Sequence, residues 1–374
     1  MPQRYDVAIA GGGPAGSAAA IALARSGLRV LIADAQKHPG AGETSSFRIG
    51  EGLPPSARHL LRELGVLERV LDGGHRLSHG TVAFWGAAAP HFNDFMLQLH
   101  GPGLQLDRPR FDASLRDASR AAGAELTESA QLRIDTAAAS AHEPHVLSLS
   151  AHDGDMRTLT ARWIVDATGR AASLARSLGA SPIRYDSLLA FYLRLRTDAR
   201  SDRDGRTWVE AVEDGWWYSV LLPSGERLIA FLCDGAITQH RALLDTHSLW
   251  AALAHAPNLH ALCAEHGYRP SGRPRGADAS SVALNATAGT HWLAAGDAAL
   301  AFDPLSSKGI SSALHTGLQA ARAIVAVDAG DASAIGRYAA HLHDLHCTYR
   351  DQLASFYVME TRWSDAAFWK TRRR

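Results

Sequence analysis

Residues 5–17 read YDVAIAGGGPAGS, and this stretch leaves the chain few ways to fold. An apolar run from Tyr5 to Ala10 meets three glycines, then Pro14-Ala15-Gly16, then an alanine-rich segment. A buried strand that feeds a tight glycine turn and opens a helix has this order. Gly11 is expected to make the turn, Gly13 to let a pyrophosphate approach the backbone, and Gly16 to let the helix pack close on the strand. Pro14 and Ala15 open that helix, whose free N–H groups and partial positive charge suit phosphates. The next strand, Leu28 to Ala33, ends at Asp34, about 20 residues on, where a carboxylate can accept hydrogen bonds from ribose hydroxyls. These features predict a dinucleotide site and leave NAD and FAD both open.

The rest of the chain has room for more than that one unit. At 374 residues it fits two interleaved domains or one large α/β unit. Its 46% apolar and 20% charged residues are ordinary for a globular chain, and a net charge of zero gives no bulk pull towards nucleic acid or an acidic membrane surface. Cys233, Cys263 and Cys347 are odd in number and far apart, so they read as buried thiols in a reducing compartment rather than a disulfide framework. No signal peptide precedes the first strand and no apolar run reaches about 18 residues, so a soluble cytoplasmic protein is the expectation, with no membrane partner.

Hydrophobic spacing sets the expected elements. Residues 14–26 and 109–122 read as helices, and Pro55 opens a helix through Leu64. The segment 36–57 is rich in Gly, Pro and Ser and reads as a long functional loop. Residues 80–86, 94–99, 124–136, 145–150 and 157–165 read as strands. From about 182 to 285 alternating aromatics predict a mixed or antiparallel sheet, followed by helical 239–266 and a loop, SGRPRGADASS, that returns the chain. Helices are expected at 308–327 and 332–359. The predicted architecture is a Rossmann-like α/β FAD-binding domain over 1–181 and 286–328, an inserted substrate-binding β-sheet domain over 182–285, and a helical C-terminal segment over 329–374.

Two later segments decide between the dinucleotides. Val165 to Arg170 reads VDATGR at a strand end, and Ala295 to Ile310 reads AGDAALAFDPLSSKGI at a strand end running into a helix. Asp297 can accept a hydrogen bond from a ribityl hydroxyl, and Gly296 precedes it in the turn. Pro304 sets up a helix start at which Lys308, Gly309 and Ile310 offer backbone N–H groups. A helix N-terminus aimed at a flavin's N1–C2=O edge would stabilise the negative charge that appears on reduction. An early glycine turn with a late GD-to-helix segment therefore points to FAD.

With these motifs in hand, the sequence resembles the p-hydroxybenzoate hydroxylase-like FAD superfamily. GEGLPPSA at 50–57, DATG at 166–169 and DPLSSKGISSAL at 303–314 are similar to its halogenase-like branch. The closing FYVMETRWSDAAFWKTRR resembles a subgroup that includes maturation flavoproteins of quinone-cofactor enzymes, such as the lysine ε-oxidase maturase and a peptidyl-tryptophan hydroxylase. The resemblance implies that Gly11, Gly13, Gly16 and Asp34 bind the ADP half and that Arg108 lies near the pyrophosphate. It leaves Arg48 to reach the cofactor or to be solvated, and it adds Asp166 to the cofactor-binding set.

The same resemblance separates two chemistries. A flavin halogenase of this branch needs a lysine in the tunnel between flavin and substrate, and this sequence has none between Lys37 and Lys308. The branch's G-W-x-W-x-I-P motif is also altered, to Gly215-Trp-Trp-Tyr-Ser-Val-Leu-Leu-Pro223. The expectation is therefore a monooxygenase that hydroxylates an aromatic, indole-type substrate, free or within a polypeptide, by O2 and a flavin C4a-hydroperoxide. NADH, NADPH or a separate flavin reductase would supply electrons. Glu51, His79 and Lys308 are the candidate catalytic residues, with His75 near His79. Trp208, Trp216, Trp217 and Tyr218 either line a pocket for a flat substrate or fill the core. His341, His343 and His346 do not converge on one helix face, so no metal is expected. A halogenase, a geranylgeranyl-reductase-like flavoprotein and an FAD-containing maturation chaperone stand as alternatives.

Overall fold

The computed structural model describes residues 2–36, 47, 49–97, 100–140, 143–151, 154–199, 201–235 and 240–373. Its first layer is the expected parallel sheet. Strand β1 (Gln3–Ala10) runs into α1 (Pro14–Arg25), and β2 (Val30–Asp34) pairs parallel to β1. Both strands are apolar because α1 and other helices cover the sheet, as parallel strands require. A strand at Glu125–Glu128 extends the sheet past β2. The chain's expected single strand over 124–136 is broken there, because Ser129 takes a left-handed φ of 53° before a second strand, Ala130–Thr136.

The other side of β1 pairs with a long strand, Met156–Asp166. Its far edge is shared. The first half pairs antiparallel with His145–Ala151, and the last three residues pair parallel with Trp292–Ala294. The glycine turn, the DATGR turn and the GD turn therefore emerge side by side at one end of the parallel sheet. That is where open α/β sheets bind ligands.

The second sheet has seven strands and is not built by 182–285 alone. Leu188–Arg196, Thr207–Val212, Gly215–Leu221 and Arg227–Asp234 form its centre, but Gly80–Phe84 pairs parallel to Thr207–Val212 and His91–Asp94 closes that edge. The expected strand at 94–99 thus lies earlier, at 91–94, with a helical turn at Phe95–Leu97. The opposite edge corrects a second expectation. SGRPRGAD is not a loop but part of a strand, Arg269–Asp278, pairing with Leu188–Arg196 across an irregularity at Tyr192/Arg194. Prolines are tolerated because this is an edge, where a missing N–H faces no partner.

Side-chain alternation divides this sheet between two cores. Trp216 packs on one face with Trp85, Tyr357 and Trp369, whereas its neighbour Trp217 packs on the other with Phe231, Leu249 and Leu259. The second face is covered by the helices of 246–265, one of which is capped by the buried Glu210 through Asn258 and Leu259 N–H groups. The first face meets the C-terminal elements, a long helix Ala334–Met359 and a short one, Ala367–Arg372. Cys233 and Cys263 are buried as expected, but Cys347 is exposed on the long helix.

Candidate cofactor and active site

Between the two sheets lies a cavity of about 730 Å³, within the range of about 300–1,000 Å³ common for small-molecule and cofactor sites. One end is formed by Gly11, Gly12, Gly13 and Asp34, the other by Trp216, Tyr218 and Val220 of the second sheet. Two helix N-termini border it. One is that of α1, at Pro14 and Ala15; the other is that of the helix Gly309–Asp328, at Lys308, Gly309 and Ile310.

The three glycines of the first turn have different work. A side chain on Gly11 would collide with the Ala167 carbonyl, and its φ of 102° is left-handed. One on Gly16 would overlap the carbonyl oxygen of Gly11. Gly13 meets nothing within 4 Å and faces the cavity. Two glycines thus bring backbone segments together and the third keeps space open. Such a bare backbone cradle beside a helix N-terminus fits a pyrophosphate. Asp34 ends its strand as expected and accepts a hydrogen bond from the Gly12 N–H at 3.2 Å.

Several expected cofactor residues lie at the wall but are engaged by the protein. Arg108 is buried, pairs with Asp112 at 3.1 Å and donates to the Gly50 carbonyl at 2.7 Å, anchoring the 49–52 loop against the cavity. Asp297 and Pro304 line the cavity directly. Asp166 does not. Its carboxylate is fully buried, accepting from Thr168 N–H and hydroxyl on one oxygen and from Ala175 N–H on the other. It shapes the turn that presents Thr168 to Ala171 to the cavity, because three close donors leave it no orientation towards a ligand. Gly296 likewise makes a left-handed turn beneath the wall, with its N–H on the Thr316 hydroxyl. Arg48 lies outside the described residues.

The candidate catalytic residues separate clearly. Glu51 is buried at the cavity wall, accepts from the Gly50 N–H at 2.8 Å and interacts with the Tyr218 hydroxyl. Burial pushes its carboxyl above the usual range against the pull of those bonds and of Arg108. His79 is exposed beside Gly205 and lines no part of the cavity. His75 is half-buried, accepts from the Asp107 N–H and sits edge-on to Phe111, also away from it. Lys308 reaches the cavity rim, but its ammonium donates outward to Gln352 at 2.8 Å. Of the aromatics, Trp216 and Tyr218 face the cavity, and Trp208 and Trp217 belong to the opposite face of the sheet.

Two wall residues were not singled out from sequence. Gln105 directs its amide N–H groups to Ser78 and Thr207, which leaves its buried carbonyl oxygen with no hydrogen-bond partner among the described residues. Its place two residues before the expected Asp107-Arg108 pair was the available signal. Asp303, in DPLSS, is buried and accepts from the Tyr357 hydroxyl at 2.7 Å. Tyr357 is 54 residues away in sequence, so only folding brings the pair together.

The comparisons with known proteins agree with this geometry. The FAD-dependent oxidoreductase named LodB of Marinomonas mediterranea is 27% identical over 99% of this chain and 97% of its own. Among solved structures, the myxobacterial chondrochloren halogenase CndH superposes with a TM-score of 0.89 at 23% identity, over 100% of this chain and 86% of the other. The peptidyl tryptophan dihydroxylase QhpG, described as essential for tryptophylquinone cofactor biogenesis, superposes with a TM-score of 0.76 at 23% identity, over 99% and 79%. No described helix is long and apolar enough to cross a membrane. The profile of the FAD binding domain family matches residues 4–343, and with the open glycine cradle and paired helix N-termini this places the chain in that family, as an FAD-dependent oxidoreductase.

Proposed function

We propose that the chain is an FAD-dependent monooxygenase that hydroxylates an aromatic, indole-type substrate, either free or within a polypeptide. The observation that carries this reading is the makeup of the cavity's inner end. Ala190, Val209, Trp216 and Val220 give an apolar wall for a flat ring, with the buried Glu51 and the half-buried Tyr218 beside it. Bound FAD would supply the activation of O2, from which the inserted oxygen atom comes. The chain's own residues exclude water, orient the ring and hold a proton on the Glu51 carboxyl, which burial favours in its neutral form. The free carbonyl oxygen of Gln105 suits an N–H on a bound ligand. Electrons would come from NADH, NADPH or a separate flavin reductase. QhpG's named activity, a peptidyl-tryptophan dihydroxylation, supports an indole-type substrate.

Halogenation is the second reading, favoured by the likeness to CndH. Against it, the one lysine lining the cavity among the described residues turns its ammonium outward to Gln352. The test offers FAD-loaded, reduced protein O2, bromide and a tryptophan-containing peptide or free indole substrate. Mass spectrometry should show one oxygen atom gained per hydroxylation, labelled from ¹⁸O2. A brominated product would replace this reading with halogenation. Protein that takes up no FAD would overturn both.

A further inference from the structure

Beside the cofactor cavity, separated from it by Asp303, is a second recess of about 190 Å³. Its rim residues Arg350 and Ala354 are exposed, so it opens to solvent, while Tyr349 and Tyr357 at its base are buried. Asp303 is the wall residue of both spaces, and its side chain is 1% exposed.

Each of the two carboxyl oxygens has its own donor. Oδ1 accepts from the N–H of Leu305, which lines the cofactor cavity. Oδ2 accepts from the hydroxyl of Tyr357, which lines the recess. Tyr357 in turn accepts at 3.1 Å from the indole N–H of Trp216, a cavity residue. The Asp303 N–H donates to the Tyr349 hydroxyl at 2.7 Å, and Tyr349 bonds the Ser281 hydroxyl within the recess. One carboxyl oxygen caps the helical turn Pro304–Ser306, and the other is held by the Tyr357 hydroxyl, so the acid stays buried at the partition between the two spaces.

We propose that Asp303 is a relay residue that passes protons between the cofactor cavity and the solvent-facing recess. The protonated carboxyl gives its proton to water in the cofactor cavity, and a hydronium proton arriving through the recess restores it, so that one proton passes from solvent to the cavity and the carboxyl ends as it began. No electron moves, and no co-reactant other than water is needed. The charged and titratable groups facing it suit this role. Tyr349, Arg350 and Tyr357 come from the long C-terminal helix and Arg372 from the short one, with Asp186 and Asp234 across the recess. Arg372 is paired with Asp234 at 2.6 Å, so it does not hold Asp303 as a salt-bridge partner. Burial therefore dominates and lifts the carboxyl to about 6, against the Leu305 and Tyr357 hydrogen bonds, with Asp186 adding and Arg372 opposing. At that value both protonation states are populated near neutrality.

The proposal rests on the preceding reading only in taking the larger cavity as the cofactor's, so failure to hydroxylate any aromatic would not touch its test. The test uses FAD-loaded protein carrying ¹³C-labelled aspartate, followed by infrared spectroscopy through a pH titration and after a pH jump. The expected result is a carboxyl transition near pH 6 that D303N abolishes. Y357F should move it upward, since loss of the donor disfavours the carboxylate. A354W, which fills the recess from its rim, should slow the pH-jump response several-fold with the midpoint and FAD content unchanged. A transition that persists in D303N, or a response rate that A354W leaves alone, overturns the relay. Should D303N fail to fold, an unmoved midpoint in Y357F or an unchanged rate in A354W decides against it equally.

Discussion

The Tyr218 hydroxyl and the carboxyl of Glu51 interact across the cavity wall, linking the second sheet to the loop that closes the cofactor cavity. The two side chains come from segments more than a hundred residues apart and line the same wall, Glu51 buried and Tyr218 half-buried. Burial raises the Glu51 carboxyl above its ordinary 4.5. Between that value and the raised one the folded state binds more protons than the unfolded state. Stability from this group is therefore complete below 4.5 and is lost as pH rises through the folded value. E51Q keeps the acceptor for Gly50 and Tyr218 without the charge. Its melting temperature should equal or exceed wild type at pH 7, with the advantage vanishing at pH 4. A uniformly lower melting temperature for E51Q would contradict this. On the monooxygenase reading, turnover falls in the same variant while FAD content does not.

The glycine turn predicts a sharp contrast between neighbours. G16A places a methyl against the Gly11 carbonyl, where only backbone movement relieves the clash, so a loss of about 1–3 kcal/mol or more is expected. G13D has open space and should fold with the wild-type apo melting temperature, yet purify colourless because the carboxylate fills and repels the phosphate cradle. Denaturant melts and the flavin absorbance of the purified variants check both halves.

Lys308 is expected to be dispensable. Its ammonium bonds Gln352 on an exposed face, and K308A should leave stability within about 0.5 kcal/mol of wild type. FAD content should also be unchanged, since the backbone N–H groups of this turn rather than the side chain border the site. A variant that loses flavin would return Lys308 to the site.

Trp369 closes the second sheet from below. It is fully buried, donates to the Val212 carbonyl at 3.0 Å and lies edge-on to Trp85 at 5.3 Å between ring centres. W369A should cost about 3–5 kcal/mol, measured by denaturant unfolding. A cost below about 1 kcal/mol would show that the C-terminal helix is not part of the folded core.

The path of the chain through the first layer was legible because its signals are local. Strand, glycine turn and helix follow one another within 25 residues, and each glycine's job depends on backbone segments close by in the fold. The alternating aromatics likewise announced a sheet over 188–234. Less legible was the sheet's outline. Arg269–Asp278, with two prolines and a glycine-rich sequence, carries no strand signal of its own and is a strand only because Leu188–Arg196 offers it an edge. His79 and Asp166 show the same limit at the site. A histidine near the expected tunnel and an aspartate at a strand end have the right chemistry, but orientation decided that one is exposed and the other is bonded to its own turn.

The sequence by itself determined the cofactor class and the glycine turn and helix starts that border the cavity, because glycine spacing and helix starts are properties of a few consecutive residues. Only the tertiary structure decided which acids face the cavity. Glu51 meets Tyr218, and Asp303 meets Tyr357 and the recess behind it, through contacts between distant segments. Burial and partner, not residue type, set whether a carboxyl holds its proton, and both exist only once the two sheets and the C-terminal helices have closed on one another.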